Sequence, residues 1–365
     1  MPLSKIKTNS IADEVFEAGS NLIINGAMQI WQRGTSTDTI SNGGYLCDRW
    51  RINHSGTDGN VDVDRSTDVP AGKGFGFSQK ISMDASESSL DAGDQIRVIQ
   101  RIEGQNLQSL KKGTSSAESV TISFYVKSSV AATYTVNIRD EDNDRDNSKT
   151  YTIDSANTWE FKSITFTGDT TGALDNDNGR SFDLNFWIDA GTSFTSGTFY
   201  NGTWGAGDNT KKVSATTGWL VSTSPEWYIT GVQMEVGEQA TPFQSRSFGD
   251  ELRRCQRYYY RIASGQYAFF AMGRVISGQV PVAPITFPTA MRVTPSITML
   301  NGAIWYNNAG NITTASSPAV IYSSNLSEVT TVDVRFANNS GLNGSAEPMA
   351  FAFNPAGYID FSSEL

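Results

Sequence analysis

The residue types needed for nucleophilic or zinc-dependent catalysis are scarce in this chain of 365 residues. His54 is its one histidine and lies in the polar segment NHSGTDGN, which has no strand-to-helix turn to expose a nucleophile. Ser-His-Asp and Cys-His sites both need a histidine beside the nucleophile, so we expect neither. Cys47 and Cys255 are too few for a zinc cluster or a disulfide framework, and we expect two buried thiols.

Carboxylates remain as candidate catalysts. Glycosidic cleavage uses two of them placed about 5–10 Å apart, and no pair in this sequence is marked for that role. Asp48, Asp94 and Glu103 are interpreted as solvated or turn residues. We therefore predict that the chain is not an enzyme.

The acidic run DEDNDRD at 140–146 places oxygen ligands at Asp140, Asp142 and Asp144, in the alternating pattern that suits a hard cation. Arg145 stands where a calcium loop needs glycine, and no glutamate closes the loop. A calcium site and a solvated hairpin tip are therefore both left open, and we expect no other cofactor.

Aromatic residues are abundant, with 8 Trp, 13 Tyr and 19 Phe. Sugar rings stack their C–H faces on aromatic planes while polar neighbours bind the hydroxyls. Aromatic residues in alternating segments are predicted to be core, namely Trp31, Trp50, Trp159, Trp187 and Trp227. Those in polar surroundings are candidate glycan ligands or anchors of long loops, namely Phe199, Tyr200 and Trp204, and Trp305 and Tyr306 with Asn307.

The composition of the chain argues against nucleic acid and membrane as partners. The net charge of −10 and the pI near 4.7 argue against a surface that binds duplex nucleic acid, because phosphate contacts need clustered Lys and Arg. No apolar run approaches the ~20 residues of a membrane helix, so we expect no membrane insertion. Charged residues make up 18% of the chain and glycine numbers 33, which favours many short strands.

Bulky residues alternate with small or polar ones in short segments separated by turns, which predicts a sandwich of two sheets over the first part of the chain. Its first predicted strand pairs with its last, and Gly231 predicts a bulge in the last. The long segment at 191–218 is predicted to be a functional or mobile loop. The strands are predicted at 21–33, 45–52, 61–65, 75–83, 95–102, 119–127, 132–139, 159–166, 182–188, 219–221 and 227–236.

Ser247 is predicted to cap a short helix at 248–257 that has acidic residues in its first turn and arginines in its last. The composition changes after Tyr260, and further short segments predict a second, smaller β-sandwich. These segments are 267–275, 278–287, 296–300, 303–306, 319–322, 329–337, 349–353 and 358–361. Residues 1–19 are polar and weakly periodic, either an arm that orders against another subunit or an untidy terminus.

Four stretches resemble segments of tail-fibre and related receptor-facing virion proteins of tailed bacteriophages. They are MPLSKIKTNSIADEV, NLIINGAMQIWQRG with YLCDRW after it, GVQMEVGEQATPFQSRSFGDELRRCQRYYY, and GYIDFSSEL. The resemblance implies an all-β chain: a jelly-roll β-sandwich like that of carbohydrate-binding modules, then a short linking helix and a smaller C-terminal β-sandwich. The expected domains are an attachment arm (1–19), the jelly roll (20–246), the linking helix with the start of the next strand (247–262) and a distal β domain (263–365).

The resemblance further implies a virion protein, made in the host cytoplasm, that attaches to host surface glycans as a tail fibre or tail-associated receptor-binding protein. Similar proteins are homotrimers, and we predict the three-fold interface at Arg254, Tyr258, Tyr259 and Tyr260. Expected partners are the chain itself, other virion proteins through the arm, and a host surface glycan or protein. The alternatives are a capsid head decoration or head-fibre protein and, third, a polysaccharide depolymerase.

Overall fold

The computed structural model describes residues 21–265, 269–276, 280–300, 303–306, 312–315, 318–322, 329–336, 348–353 and 356–365. The predicted attachment arm at 1–19 lies outside these residues. The chain divides into two compact units with the boundary between Arg246 and Ser247. Strands dominate the described residues of both units, so the chain is all-β, as the alternation predicts.

The first unit is a β-sandwich of antiparallel strands. Over its described residues the strands are β1 (Ser36–Thr37), β2 (Gly44–Tyr45), β3 (Arg51–Ser55), β4 (Val61–Ser66), β5 (Ser78–Met83), β6 (Gln95–Glu103), β7 (Val120–Ser128), β8 (Thr133–Asp140), β9 (Arg145–Thr152), β10 (Glu160–Phe166), β11 (Arg180–Ala190), β12 (Gly205–Ala206) and β13 (Glu226–Val236). Sheet 1 has the order β1-β4-β5-β13-β7-β10, and sheet 2 has the order β12-β9-β8-β11-β6-β3-β2. A single helical turn, α1 (Thr192–Thr195), follows β11.

The connections are those of a jelly roll. The chain passes from one sheet to the other after β1, β3, β5, β6, β7, β9, β10 and β12, so neighbouring strands in sequence often face each other across the core. Both cysteines are buried, as predicted.

Aromatic rings fill the space between the two sheets. On β7, Ile122, Phe124 and Val126 alternate inward and are fully buried. The Phe124 ring lies 5.0 Å from that of Phe186 on β11 and 5.1 Å from that of Tyr151 on β9. One residue of sheet 1 therefore joins two strands of sheet 2. Burial of each such side chain stabilises the unit by about 1.5–3 kcal/mol.

The segment at 21–33 is not the strand that its apolar residues predict. Asn25 adopts a φ of 58°. Its side chain makes the backbone hydrogen bonds that a neighbouring strand would otherwise make. Its Oδ1 accepts from the Ile30 amide at 3.0 Å, and its Nδ2 donates to the Ile30 carbonyl at 2.9 Å. The segment still closes the unit beside β13, because the Leu22 amide donates to the Met234 carbonyl at 2.8 Å.

Three further differences from the predicted strands occur in this unit. The segment at 45–52, predicted as one strand, belongs to β2 up to Tyr45 and to β3 from Arg51, with a turn between them. The segment at 219–221 is a turn, whose Leu220 amide donates to Asp189 at 3.0 Å. Strand β9 was not predicted, because polar residues occupy three consecutive buried positions. Among them, Asp146 pairs with Arg139 at 2.8 Å. Alternation cannot reveal a strand whose buried side chains are polar.

Gly231 forms the predicted bulge in β13. The pairing of β13 with β7 shifts between Thr230 and Gln233, and Gly231 has a φ of 62°. A Cβ at this position would lie 2.5 Å from Cζ of Phe75. The glycine thus makes room for an aromatic ring on the outer face of sheet 1.

The second unit is a smaller β-sandwich with one helix, α2 (Phe248–Gln256), among its described residues. Its strands are β14 (Tyr259–Ser264), β15 (Phe269–Ile276), β16 (Val280–Met291), β17 (Ser296–Leu300), β18 (Ala303–Tyr306), β19 (Ile312–Ala315), β20 (Pro318–Tyr322), β21 (Val329–Phe336), β22 (Pro348–Phe353) and β23 (Gly357–Ser362). They form sheets of order β14-β23-β17 and β19-β18-β22-β15-β16-β21-β20. The sheets share a core in which the rings of Phe287 and Phe361 lie 5.1 Å apart.

Helix α2 begins as its sequence predicts. Ser247 Oγ accepts from the Asp250 amide at 3.2 Å, which confirms the N-cap. The helix packs on β14 and β16, so it belongs to the second sandwich. Within the described ranges, the structure holds no helix with the length and apolarity to cross a bilayer.

Gly26 should be essential to the closure of the first unit. A Cβ there would lie 2.1 Å from the Val232 carbonyl oxygen, which is backbone and cannot move aside. We expect Gly26→Ala to lower the free energy of unfolding by about 1–3 kcal/mol, as overpacking does. Urea denaturation followed by tryptophan fluorescence measures it. A Cβ at Gly76 meets nothing within 4 Å, so Gly76→Ala is the control. Equal stability of the two variants would contradict the prediction.

Candidate functional site

The outer face of sheet 1 carries aromatic side chains. Strand β7 buries Phe124 and Val126 in the core, so Tyr125 between them lies on the opposite face. Strand β10 likewise buries Phe166, which leaves Phe161 on the outer face with 51% of its surface exposed. Phe161 and Tyr125 are cross-strand partners, and their ring centroids lie 5.1 Å apart.

Phe75 and Phe243 extend this line of rings. The Phe75 ring, above Gly231, lies 5.6 Å from Tyr125 and 5.1 Å from Phe243. Successive rings are inclined by 53°, 59° and 72°, so they pack edge to face and do not form one flat platform. We call Phe161, Tyr125, Phe75 and Phe243 the aromatic row.

A second line of side chains lies beside the aromatic row, two residues along the paired strands. Tyr228 of β13 is opposite Lys127 of β7 on one side and Lys80 of β5 on the other. Lys127 Nζ lies 4.0 Å from the centre of the Tyr228 ring, and Lys80 Nζ lies 6.0 Å from it. Trp159, directly before β10, lies 6.1 Å from Tyr228. We call Trp159, Lys127, Tyr228 and Lys80 the charged line.

Asp68 fixes one end of the charged line. It forms an ion pair with Lys127 and accepts from Trp159 Nε1 at 2.8 Å. Burial acts to raise the pKa of Asp68, but the hydrogen bonds from Lys127 and Trp159 outweigh it and hold the pKa below its usual value. Asp68 therefore stays ionised and keeps both neighbours in place.

Glu226 fixes the other end. Its carboxylate lies 2.7 Å from Lys80 Nζ and accepts from the Tyr228 hydroxyl at 2.9 Å. Burial opposes ionisation, yet these two hydrogen bonds lower the pKa of Glu226. Burial and the neighbouring Glu226 carboxylate raise the pKa of the Tyr228 hydroxyl. Glu226 and Asp68 are therefore both ionised, and neither is the protonated acid that glycosidic cleavage requires.

The aromatic row and the charged line together can bind a ligand that has apolar faces and polar edges. The open ring of Phe161 offers a stacking surface, and ammonium and carboxylate groups beside it donate and accept hydrogen bonds. Strands of sheet 1 position five of these eight side chains, whereas Phe75, Trp159 and Phe243 lie outside the strands. Little side-chain entropy would be lost when a ligand binds.

The aromatic residues predicted at the long loop anchor that loop. Trp204 packs against the core, and its Nε1 donates to the Thr167 carbonyl at 2.8 Å. The Tyr200 hydroxyl donates to the Ala206 carbonyl at 2.5 Å, and burial raises the pKa of Tyr200 to about 12. Phe199 is half-buried. Binding of a glycan by these loop residues stays a prediction.

The candidate residues of the second unit are described only in part. Trp305 and Tyr306 lie on β18, opposite Phe351 and Ala350 of β22. Their side chains, and the whole of Asn307, lie outside what the structure describes. Binding by these three residues is therefore untested.

The carboxylates of the candidate calcium site make other contacts. Asp140 is buried and lies 2.6 Å from Lys112 Nζ, Asp142 accepts a backbone hydrogen bond at 3.0 Å, and Asp144 pairs with Arg139. No group of three or more His, Cys, Asp or Glu side chains in the described ranges is arranged to hold a metal ion. The run forms the turn between β8 and β9, the hairpin tip that the sequence left open.

The residues predicted at the three-fold interface lie in the second unit. Tyr258 and Tyr259 are 1% and 2% exposed, and Tyr260 is half-buried with its ring 6.3 Å from Phe361. Arg254 alone of the four is exposed. The tyrosines thus pack within one protomer, and the homotrimer stays a prediction.

Three acids interpreted as solvated or turn residues are buried, so none of them is solvated, although Asp48 does lie in a turn. Asp48, Asp94 and Glu103 are 1%, 4% and 0% exposed. Asp48 pairs with Arg33 at 3.4 Å, Asp94 accepts a backbone hydrogen bond at 2.6 Å, and Glu103 accepts from Gln105 Nε2 at 2.6 Å. Each carboxylate satisfies donors inside the unit, a role that sequence spacing does not reveal.

Sequence reasoning missed the aromatic row. Trp159 is half-exposed and not core as predicted, because it precedes β10 and its Nε1 reaches Asp68. The other tryptophans predicted to be core, Trp31, Trp50, Trp187 and Trp227, are buried. A signal was present at Phe161 and Tyr125, which lie in the outward phase of their strands, opposite to the core residues.

The link between Asp68 and Lys127 predicts a pH dependence. A carboxyl whose pKa is lowered on folding stabilises the fold above its unfolded pKa, about 3.9, and this stabilisation is lost as pH falls through the lower folded value. We expect Asp68→Asn to make the free energy of unfolding depend less on pH below about 4. Urea denaturation between pH 2 and 7 measures it. Asp154→Asn, whose side chain is 76% exposed, is the control and should leave the slope unchanged.

No family model matches the chain, and no curated protein matches it. Among similar solved structures is a putative sugar binding protein from Bacteroides thetaiotaomicron, with a TM-score of 0.34 and 12% identity over 60% of this chain and 100% of that chain. The family 11 carbohydrate-binding module of a Clostridium thermocellum cellulase has a TM-score of 0.29 and 15% identity over 56% of this chain and 96% of the module. The enzymatically active domain of tailspike protein 4 of bacteriophage CBA120 has a TM-score of 0.32 and 18% identity over 59% of this chain and only 21% of that chain. Similarities of this size assign no function to the chain.

Proposed function

We propose that this chain is a structural protein of a tailed-bacteriophage particle that attaches to a host surface glycan, and that the aromatic row with the charged line binds the sugar. The observation that carries the proposal is an exposed aromatic surface on a rigid sheet, flanked by paired ammonium and carboxylate groups. The four sequence stretches that resemble receptor-facing virion proteins support a place on the particle.

The chemistry of the surface suits a sugar. A pyranose has apolar C–H groups on its faces and hydroxyl groups around its edge. Phe161 is 51% exposed and offers an open ring for stacking. Asp68 and Glu226 have side chains 49% and 37% exposed. In each, one oxygen binds lysine and the other accepts from Trp159 or Tyr228. Each carboxylate oxygen has a second lone pair that can accept from a sugar hydroxyl.

Binding through one open face would be weak, and several copies would strengthen it. Linked sites raise the overall affinity by about 10²- to 10⁴-fold without any new contact. A homotrimer, with residues 1–19 joining it to the particle, would present three such faces to one host surface. This proposal places sugar binding on the outer face of sheet 1 in the first unit. The candidates from the sequence were the loop residues Phe199, Tyr200 and Trp204 of the same unit, and Trp305, Tyr306 and Asn307 of the second.

A head decoration or head-fibre protein is the second candidate, since the same sandwich could cover capsid subunits. A reconstruction of the particle decides between the two by showing whether residues 1–19 dock on the tail or on the head. A polysaccharide depolymerase is the third. The ionised state of Asp68 and Glu226 supports binding without cleavage. Release of sugar from host envelope polysaccharide, lost in Asp68→Asn or Glu226→Gln, would overturn our proposal.

Phe161→Ala should weaken glycan binding without unfolding the protein. Its exposed ring contributes little to the core, whereas loss of one stacking contact of about 0.5–1.5 kcal/mol lowers affinity roughly two- to tenfold. A glycan array probed with the full chain identifies the ligand, and titration of the best glycan measures the change.

Val221→Ala is the matched control, because Val221 is 43% exposed in the same unit but lies outside the aromatic row. We expect it to bind as the parent does. Equal loss of binding in both variants, or none in Phe161→Ala and Tyr125→Ala together, would place the sugar elsewhere.

A further inference from the structure

Arginines of two neighbouring strands lie together on the outer face of sheet 2. Arg51 of β3 is opposite Ile99 of β6, so Arg97 and Arg101 lie diagonally on either side of it, with Cβ atoms about 7–8 Å away. Arg101 pairs with Asp183 at 3.7 Å. Neither Arg51 nor Arg97 forms an ion pair within the described part of the chain. Arg51 and Arg97 thus place two positive charges near each other on this face.

Arg97 is held in a fixed orientation by neutral groups. Its guanidinium lies 4.4 Å over the Trp187 ring, and its Nη1 donates to Asn185 Oδ1 at 3.3 Å. Trp187 is in turn 5.1 Å from Phe194 of α1, so the long loop fixes the ring beneath the arginine. Burial lowers the pKa of Arg97 to about 10, Asp183 opposes this, and Arg51 adds to it. A positive charge here is costly and would be stabilised by an anion.

Two buried polar atoms on neighbouring strands have no hydrogen-bond partner among the described residues. One is Nε of Arg97 on β6. The other is Oδ1 of Asn53 on β3, the residue that is the cross-strand neighbour of Arg97. A charged donor and a neutral acceptor on paired residues are thus both unsatisfied, whereas buried polar atoms are nearly always paired.

We infer that Arg51, Arg97 and Asn53 form a binding site for an acidic sugar. The planar guanidinium of Arg97 matches a carboxylate in geometry, and Arg51 adds a second charge-assisted donor. Asn53 Oδ1 accepts from a sugar hydroxyl, a contact that inorganic phosphate at neutral pH offers less readily. The site does not depend on the aromatic row, which lies on the other sheet.

The test is titration of the full chain with D-glucuronate, D-glucose, phosphate and sulfate, measured by calorimetry and by the fluorescence of the tryptophans. We expect glucuronate to bind at least tenfold more tightly than glucose. Arg97→Lys, which keeps the charge, and Arg51→Gln should each weaken glucuronate binding tenfold or more. Arg65→Gln is the matched control, because Arg65 stacks on Phe77 of the other sheet at the same distance, 4.4 Å, and should bind normally.

The remaining outcomes separate this site from the aromatic row. Glucuronate binding that survives Phe161→Ala and is lost in Arg97→Lys supports the inference. The reverse pattern, or equal binding of glucose and glucuronate, overturns it. Phosphate or sulfate binding as tightly as glucuronate overturns the assignment to a sugar. Circular dichroism and the melting temperature of Arg97→Lys verify that lost binding does not reflect unfolding.

Discussion

The buried carboxylate of Glu235 is the group on which the closure of the first unit depends. It is 1% exposed, and neutral donors surround it: Thr241 N at 2.8 Å, Thr241 Oγ1 at 2.7 Å and Gln233 Nε2 at 2.9 Å. A carboxylate removed from water this completely is stable only if its hydrogen bonds are supplied by the protein. Residues 238–246 are therefore fixed across the outer face of sheet 1, because only there can Thr241 reach Glu235.

The same network joins the two ends of the unit and helps to build the proposed site. Gln244 donates its backbone amide to Gln233 Oε1 at 2.7 Å and accepts from the Asn21 amide at 2.8 Å. Phe243 lies between Thr241 and Gln244, so the contacts that close the sandwich also position the last ring of the aromatic row. One set of hydrogen bonds thus both closes the sandwich and positions Phe243. Removal of the Glu235 carboxylate would disturb both.

The sequence pattern predicts the strands that have one apolar face. It fails for segments in which the buried side chains are polar. Strand β7 could be predicted because Ile122, Phe124 and Val126 alternate inward. Strand β9 could not, because Asp146, Asn147 and Ser148 fill three consecutive buried positions and Tyr151 is its one buried aromatic residue. The segment at 21–33 is not the predicted strand, because the Asn25 side chain makes the hydrogen bonds to the Ile30 backbone that a neighbouring strand would otherwise make. The outward position of Phe161 could be predicted from the sequence, because Phe161 alternates with the buried residues of β10. Phe75 and Phe243 lie outside strands, and only the bulge and the Glu235 network bring them to the site.

Two of the stretches that resemble phage virion proteins supply contacts that close the first unit, and those contacts carry no information about a ligand. Polar side chains of both stretches form hydrogen bonds inside the unit. They are Asn25 and Asp48 in one stretch and Gln233 and Glu235 in the other. The proposed sugar contacts lie on outward positions of strands, such as Phe161, where a change of side chain leaves the core intact. Outward positions such as Phe161 are not used by these closing contacts, so specificity for a ligand is to be sought there.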